Sequence, residues 1–132
     1  MILEHVAIWT YQLDVLKLYY EEYFGAKAND KYINTQKQFE SYFLTFDSGA
    51  RLELMTKPGI PQNLNDTIDQ QFTGIIHLAF GAASVEDVDT KAAALKAGGY
   101  RILSGPRYTG DGYYEFETLD PDNNRLEVVY AT

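Results

Sequence analysis

Arg51-Leu52-Glu53-Leu54-Met55 and Arg125-Leu126-Glu127-Val128-Val129 decide how this chain is read. The two stretches lie 74 residues apart and run alike: Arg, apolar, Glu, apolar, apolar. Alternation of this kind marks a half-buried strand, with Leu52 and Leu54 on one face and Arg51, Glu53 and Met55 on the other. The same holds for Glu127 against Leu126 and Val128. A strand pattern that recurs so closely points to an internal duplication.

Upstream of each stretch the same elements recur. In the first half a strand over residues 2–9 leads into Leu13, Leu16, Tyr20 and Tyr23, which fall at helical spacing, and Gly25 stands where a helix-ending glycine is expected. A polar stretch (26–38) with room for a further short strand follows, then a strand over 39–46, an Asp47-Ser48-Gly49 turn and a strand over 50–55. In the second half a strand over 74–81 precedes Ser84, which caps a helix in the S-x-x-[DE] relation with Asp87. Val85, Val88, Ala92 and Leu95 form the apolar stripe and Gly98-Gly99 ends it. A short strand over 100–103, a Gly/Pro-bearing loop, a strand over 113–119, a turn over 120–124 and a strand over 125–130 complete the half. The expectation is one α+β domain over 1–132, with internal repeats 1–57 and 74–132 joined by a linker, 58–73. That linker is polar, holds Pro58 and Pro61, and is long for a connection within a compact domain. Neither half buries both faces of its own sheet, so the halves are expected to pack together.

Composition limits the function classes. The 132 residues are 45% apolar and hold no cysteine, which excludes disulfides, thiolate metal sites and Cys nucleophiles. Eleven basic residues against 19 acidic give a net charge of −8, with no basic stripe to grip nucleic acid. No apolar run approaches a membrane span, and the N-terminus does not read as a signal peptide, so a cytoplasmic protein is expected. Eleven tyrosines and one tryptophan hint at a lined pocket.

The two histidines occupy matched places. His5 and His77 each lie in the opening strand of a half, and each half closes on a strand bearing one Glu, Glu53 or Glu127. His5, Ala7 and Trp9 share a face, as do His77, Ala79 and Gly81. The leucines of the closing strands pack under the helices, which leaves the imidazoles and carboxylates on the opposite, concave face. Carboxylates there are costly unless paired or bound to a cation. Two imidazoles and two carboxylates make a four-ligand N/O site for a divalent ion, with positions left for water or substrate. The plainer reading of each residue alone is an ordinary hydrogen bond; the matched placement favours the metal.

Several motifs carry a family likeness over nearly the whole chain: Glu4-His5-Val6-Ala7-Ile8, Tyr19-Tyr20-Glu21-Glu22-Tyr23-Phe24-Gly25, Arg51-Leu52-Glu53-Leu54, Ile76-His77-Leu78-Ala79-Phe80, and Asp120-Pro121-Asp122-Asn123-Asn124-Arg125-Leu126-Glu127. The chain resembles the glyoxalase/bleomycin-resistance/extradiol-dioxygenase group, the vicinal oxygen chelate superfamily. The resemblance implies two βαβββ modules forming a curved, cup-shaped mixed sheet, with helices on the outer face and a metal in the cup. The set His5, Glu53, His77 and Glu127 is similar to the ligands of glyoxalase I (lactoylglutathione lyase). It implies a divalent ion (Ni, Zn, Co, Mn or Fe) and a lyase/isomerase acting on a 2-oxoaldehyde–thiol hemithioacetal through a metal-bound enediolate. Glu127 is the first choice for the base and Glu53 the second.

One position departs from the family pattern. Glyoxalase I usually carries an Arg four residues after the first His, to meet a glutathione carboxylate; here Trp9 stands there. An indole cannot pair with a carboxylate, which favours an apolar or aromatic substrate, or another thiol; the alternative for Trp9 is core packing. Arg51 and Arg125 either meet an anionic substrate or are strand-end charges near solvent. Tyr113, after the glycine-rich 107–112 segment, borders the expected pocket. Tyr19, Tyr20 and Tyr23 are expected in the core or at a dimer contact. The expected partners are a small-molecule substrate and a second copy of the chain, with neither nucleic acid nor membrane. The rivals are another metal-dependent enzyme of the group (an epimerase, a thiol transferase or a dioxygenase) and a metal-free resistance protein that binds an aromatic drug.

Overall fold

The computed structural model describes residues 1–65 and 67–132. Position 66, inside the expected linker, lies outside the described residues. The chain forms two compact units, Met1–Leu64 and Asn65–Thr132, and the boundary falls within the polar 58–73 stretch.

The first unit runs β1 (His5–Trp9), α1 (Leu13–Phe24), β2 (Lys27–Ala28), β3 (Tyr32–Asn34), β4 (Phe39–Thr45) and β5 (Arg51–Thr56). Its sheet has the order β1-β5-β4-β2, with β3 also paired to β4. β1 and β5 are parallel, whereas β4 runs antiparallel to its neighbours. β2 and β3 lie along the same edge of β4, so they are one edge strand in two pieces. The second unit runs β6 (His77–Gly81), α2 (Val85–Ala97), β7 (Ile102–Tyr108), β8 (Tyr113–Leu119) and β9 (Arg125–Ala131), in the sheet order β6-β9-β8-β7. Parallel β6 and β9 repeat the pairing of β1 and β5. Each unit is thus a βαβββ module with a mixed sheet and one helix, an α+β architecture.

The period-2 pattern decides which face each helix covers. Leu52 and Leu54 of β5 are buried with Leu44 and Tyr42 of β4 and with Leu13, Leu16 and Tyr20 of α1. In the second module Leu126, Val128 and Phe116 are buried with Val88, Ala92 and Leu95 of α2. Burying each such side chain fully contributes about 1.5–3 kcal/mol. Tyr19 and Tyr20 are buried, and Tyr23 and Phe24 stack beside Tyr19. Tyr19 and Tyr20 fill core, and Tyr23 lies half-buried beside them. Gly25 takes a left-handed conformation, and Ser84 Oγ accepts the Asp87 amide at 3.1 Å, so both helix boundaries stand where the sequence placed them. Asp120 builds the final turn by accepting the amides of Asp122 and Asn124, each at 2.9 Å.

Three boundaries differ from the sequence reading. β1 begins at His5 and β6 at His77, not at 2 and 74. The Gly/Pro loop expected after residue 103 is instead part of β7, which continues to Tyr108 through a cis Gly105–Pro106 bond with shifted register. β7 is the edge strand of its sheet, where a proline and a register shift are tolerated. Gly105 is required there. Its φ is +78°, and a Cβ would stand 2.4 Å from the Glu115 carbonyl oxygen. No helix among the described residues is long and apolar enough to cross a membrane.

Candidate metal-binding pairs

Register brings together what lies far apart in sequence. β1 against β5 sets His5 opposite Arg51, Ala7 opposite Glu53 and Trp9 opposite Met55. Directly opposed residues project to one face. The face of this sheet away from α1 therefore carries His5, Trp9, Arg51, Glu53 and Met55, joined by Phe43 and Ser41 of β4. There His5 Nε2 lies 3.6 Å from Glu53 Oε2. In the second module the identical register sets His77 opposite Arg125 and Ala79 opposite Glu127, and His77 Nε2 lies 3.2 Å from Glu127 Oε2. Each carboxylate side chain is only 15% exposed, against 39% for His5 and 34% for His77. The acids sit deep and the imidazoles stand at the rim.

The pairs fit a metal on two counts. Neutral imidazole nitrogen and carboxylate oxygen are donors that Zn, Ni, Co, Mn and Fe accept. Two donors bound at about 2.1 Å on adjacent positions of an octahedron lie ~3 Å apart, close to both observed separations. Among the described residues no group of three or more His, Asp or Glu side chains is assembled that would hold an ion by itself. Each module brings two of the four expected ligands together.

The surroundings of the pairs differ. Around Glu53 the neighbours are aromatic: His5 meets the Phe43 ring edge-on at 5.3 Å, and the Arg51 guanidinium lies 4.2 Å above it. Farther along, Trp9 meets Phe39 at 6.0 Å and 87°, with Lys57 Nζ 5.3 Å from the indole. Trp9 is 40% exposed, so core packing is not its role. Around Glu127 the neighbours are acids. Glu117 stands directly opposite it, and Glu115 opposite Val129. Burial first, and then Glu115 and Glu117, push the Glu127 carboxyl above its usual range, while His77 and Arg125 oppose this. Tyr113 shares this face, two positions before Glu115, and is half-exposed.

The two arginines part company. Arg125 is 6% exposed, so it is not a strand-end charge near solvent. Its Nη1 donates to Glu117 at 3.3 Å, and its Nη2 donates to the carbonyls of Thr67 and Ile68 at 2.7 and 3.2 Å. Ser104 also donates to Glu117, at 3.0 Å. Glu117 is thereby held in place beside Glu127. Arg51 is partly exposed, and its Nε donates to Glu4 at 2.8 Å. The same Glu4 carboxylate contacts His5 Nδ1 and is held below its usual range, first by that hydrogen bond and then by Arg51. Glu4, Phe43, Glu115 and Glu117 were not singled out in sequence. The alternation Tyr113, Glu115, Glu117 carried the signal for the acids. Glu4 stood in the first family motif, but it precedes the strand, and strict alternation would turn it away from His5.

With this geometry in hand, the chain can be placed among known proteins. The family model of the Glyoxalase/Bleomycin resistance protein/Dioxygenase superfamily matches residues 2–128. The chain belongs to that superfamily. It is 42% identical over 59 residues to the uncharacterized protein YqjT of Bacillus subtilis (strain 168), a match covering 42% of this chain and 46% of that protein. The matched stretch thus spans about half the length of that curated relative. Among solved structures, a glyoxylase/bleomycin resistance protein/dioxygenase domain from Frankia sp. EAN1pec superposes with a TM-score of 0.78 at 20% identity, covering 97% of this chain and 95% of that one. The trypanothione-dependent glyoxalase I of Leishmania major superposes with a TM-score of 0.74 at 22% identity, covering 98% and 86%. These likenesses are likenesses of fold.

Proposed function

We propose that this chain is a metal-dependent lyase/isomerase of the glyoxalase I type, acting on a 2-oxoaldehyde–thiol hemithioacetal or a related small substrate. The observation that carries the reading is one His–Glu pair repeated at one register position in each module of a glyoxalase-superfamily chain.

His5, Glu53, His77 and Glu127 would hold the divalent ion, which when bound supplies Lewis-acid polarisation of the substrate oxygens. Glu127 takes the proton alpha to the carbonyl and returns it to the neighbouring carbon, so the step is a balanced internal proton transfer. Its place on the open face, directly opposite Glu117, suits this role, and in the metal-free protein burial raises its carboxyl above the usual range. Glu53 is the second choice. The half-exposed Trp9 and its neighbour Phe39 offer the non-reacting end of the substrate an apolar bed. The 1–132 span working as one domain, and a homodimer, are part of the proposal. Trp9 also favours a second reading, a metal-free module that binds an aromatic drug.

Metal content by mass spectrometry on untagged protein, beside a His77→Ala variant, separates the two. Stoichiometric Ni, Zn, Co or Mn, lost in the variant, supports the lyase reading; iron would favour oxygen chemistry. Protein that takes up no ion when each is offered would overturn the enzyme reading.

A further inference from the structure

The two histidines are set in unlike surroundings. His5 is the middle of a chain of contacts: Arg51 Nε donates to Glu4 Oε1 at 2.8 Å, Glu4 Oε2 receives His5 Nδ1, and His5 Nε2 faces Glu53 Oε2 at 3.6 Å. The backbone fixes the register of this chain, since the Arg51 amide donates to the Glu4 carbonyl at 2.9 Å. His77 has the same place in its module, but Ile76 precedes it and Arg125 is turned to Glu117 and two backbone carbonyls. No carboxylate lies against His77 Nδ1 among the described residues.

We infer that Glu4 and Arg51 are positioning residues that hold His5 in one ring orientation and one tautomer, with the proton on Nδ1 and the Nε2 lone pair directed at the position an ion would share with Glu53. An imidazole has one N–H in its neutral form, and a carboxylate accepts only. With Glu4 taking the Nδ1 proton, Nε2 is left as the donor atom. Metal-bound histidines are oriented in this way by a carboxylate on the second ring nitrogen, and losing that partner typically costs about 10–100-fold in metal affinity. Arg51 acts one step farther out. Its guanidinium, seated over the Phe43 ring at 4.2 Å, holds the Glu4 carboxylate beside His5 Nδ1. His5 is thereby the pre-set ligand, whereas His77 has no such support on Nδ1 among the described residues.

The tautomer assignment stands alone; its consequence for metal rests on the proposed function. The two are tested separately. Long-range proton–nitrogen correlation spectra of metal-free protein in alkaline buffer report the tautomer of each ring. The expected result is an Nδ1-protonated His5 that becomes a tautomer mixture in Glu4→Gln, with His77 unchanged as the internal control. An Nε2-protonated His5 in the parent protein, or no change in Glu4→Gln, overturns the inference. Titration with Co(II) then reads the consequence: affinity falls about 10–100-fold in Glu4→Gln and less in Arg51→Met. Unchanged affinity in Glu4→Gln overturns the positioning role. A parent protein with a fixed His5 tautomer and no Co(II) binding counts against the proposed function and leaves the tautomer assignment standing. Glu4 and Arg51 are both partly exposed, so neither substitution removes core.

Discussion

The open faces of the two modules are built on one register and furnished differently. Phe43 in the first module stands where Glu117 stands in the second, Ser41 where Glu115 stands, and Trp9 where Gly81 stands. The arginine, glutamate and histidine positions are shared; their neighbours are not. The first module sets the Phe43 ring against its His–Glu pair, with Glu4 and Arg51 beside His5, and the second sets Glu115 and Glu117 beside its pair. What a duplicated fold keeps is therefore the donor geometry, which the parallel strand pair dictates. What it varies is the electrostatic setting, through the residues beside the pair on β4 against β8 and on β1 against β6.

The largest expected effect tests this division directly. Under the proposed function, Glu127→Gln lowers turnover of a methylglyoxal–thiol adduct by about 10²–10⁴-fold, the usual worth of a general base, and Glu53→Gln lowers it less. Steady-state kinetics on the two variants decide it, and equal losses would mean that the acidic setting of Glu127 has no part in choosing the base.

Beneath the open faces the modules should respond alike. Leu52 and Leu126 occupy matched positions and are 3% and 0% exposed. Truncation of either to Ala should cost about 2–5 kcal/mol in a denaturant titration. A large cost for one and none for the other would break the equivalence of the two cores.

Acid should act on the modules with opposite sign. Tyr42 donates to Asp14 at 2.9 Å and Lys31 at 3.1 Å, and these bonds, Tyr42's first, hold the Asp14 carboxyl below its usual range. Such a group contributes stability that is full above its unfolded value of about 3.9 and is lost as pH falls through the folded value. Glu127 is the reverse case in metal-free protein. Its raised carboxyl makes the ionised form costly at neutral pH, and acid relieves that cost as pH falls through the raised value. Because the Asp14 side chain is largely in solvent, Tyr42→Phe should lose only about 0.5 kcal/mol at neutral pH and less in strong acid. Thermal melts across pH check both the size and the sign.

The smallest effect concerns the helices. Ser84 caps α2 with its side chain, whereas Gln12 makes no side-chain cap on α1. Ser84→Ala should cost about 1 kcal/mol and Gln12→Ala only a few tenths. Equal costs in chemical unfolding would show that tertiary packing, not capping, sets both helix starts.

Much of this was legible beforehand for a local reason. Alternation in 51–55 and 125–129 assigned faces because a strand turns each side chain by half a turn, whatever surrounds it. The Ser84 cap and the Gly25 stop were legible because they concern the backbone groups of one helix end. The run through Gly105-Pro106 was not, because whether such a dipeptide breaks a strand depends on its standing at a sheet edge. The contact of Glu4 with His5 was hidden for a related reason: it depends on where β1 begins, and β5 sets that by pairing first with His5.

By itself, then, the sequence determined that the chain is a doubled β-α-β module with one His and one Glu on the face each helix leaves open. These follow from periodicity, which is intrinsic to the backbone. Tertiary structure alone decided how close His5 comes to Glu53 and His77 to Glu127, that Arg51 supports Glu4 while Arg125 is buried against Glu117, and that one pair stands among rings and the other among acids. Those are properties of strand register, and register is set by pairing between segments some fifty residues apart rather than by any stretch of chain read alone.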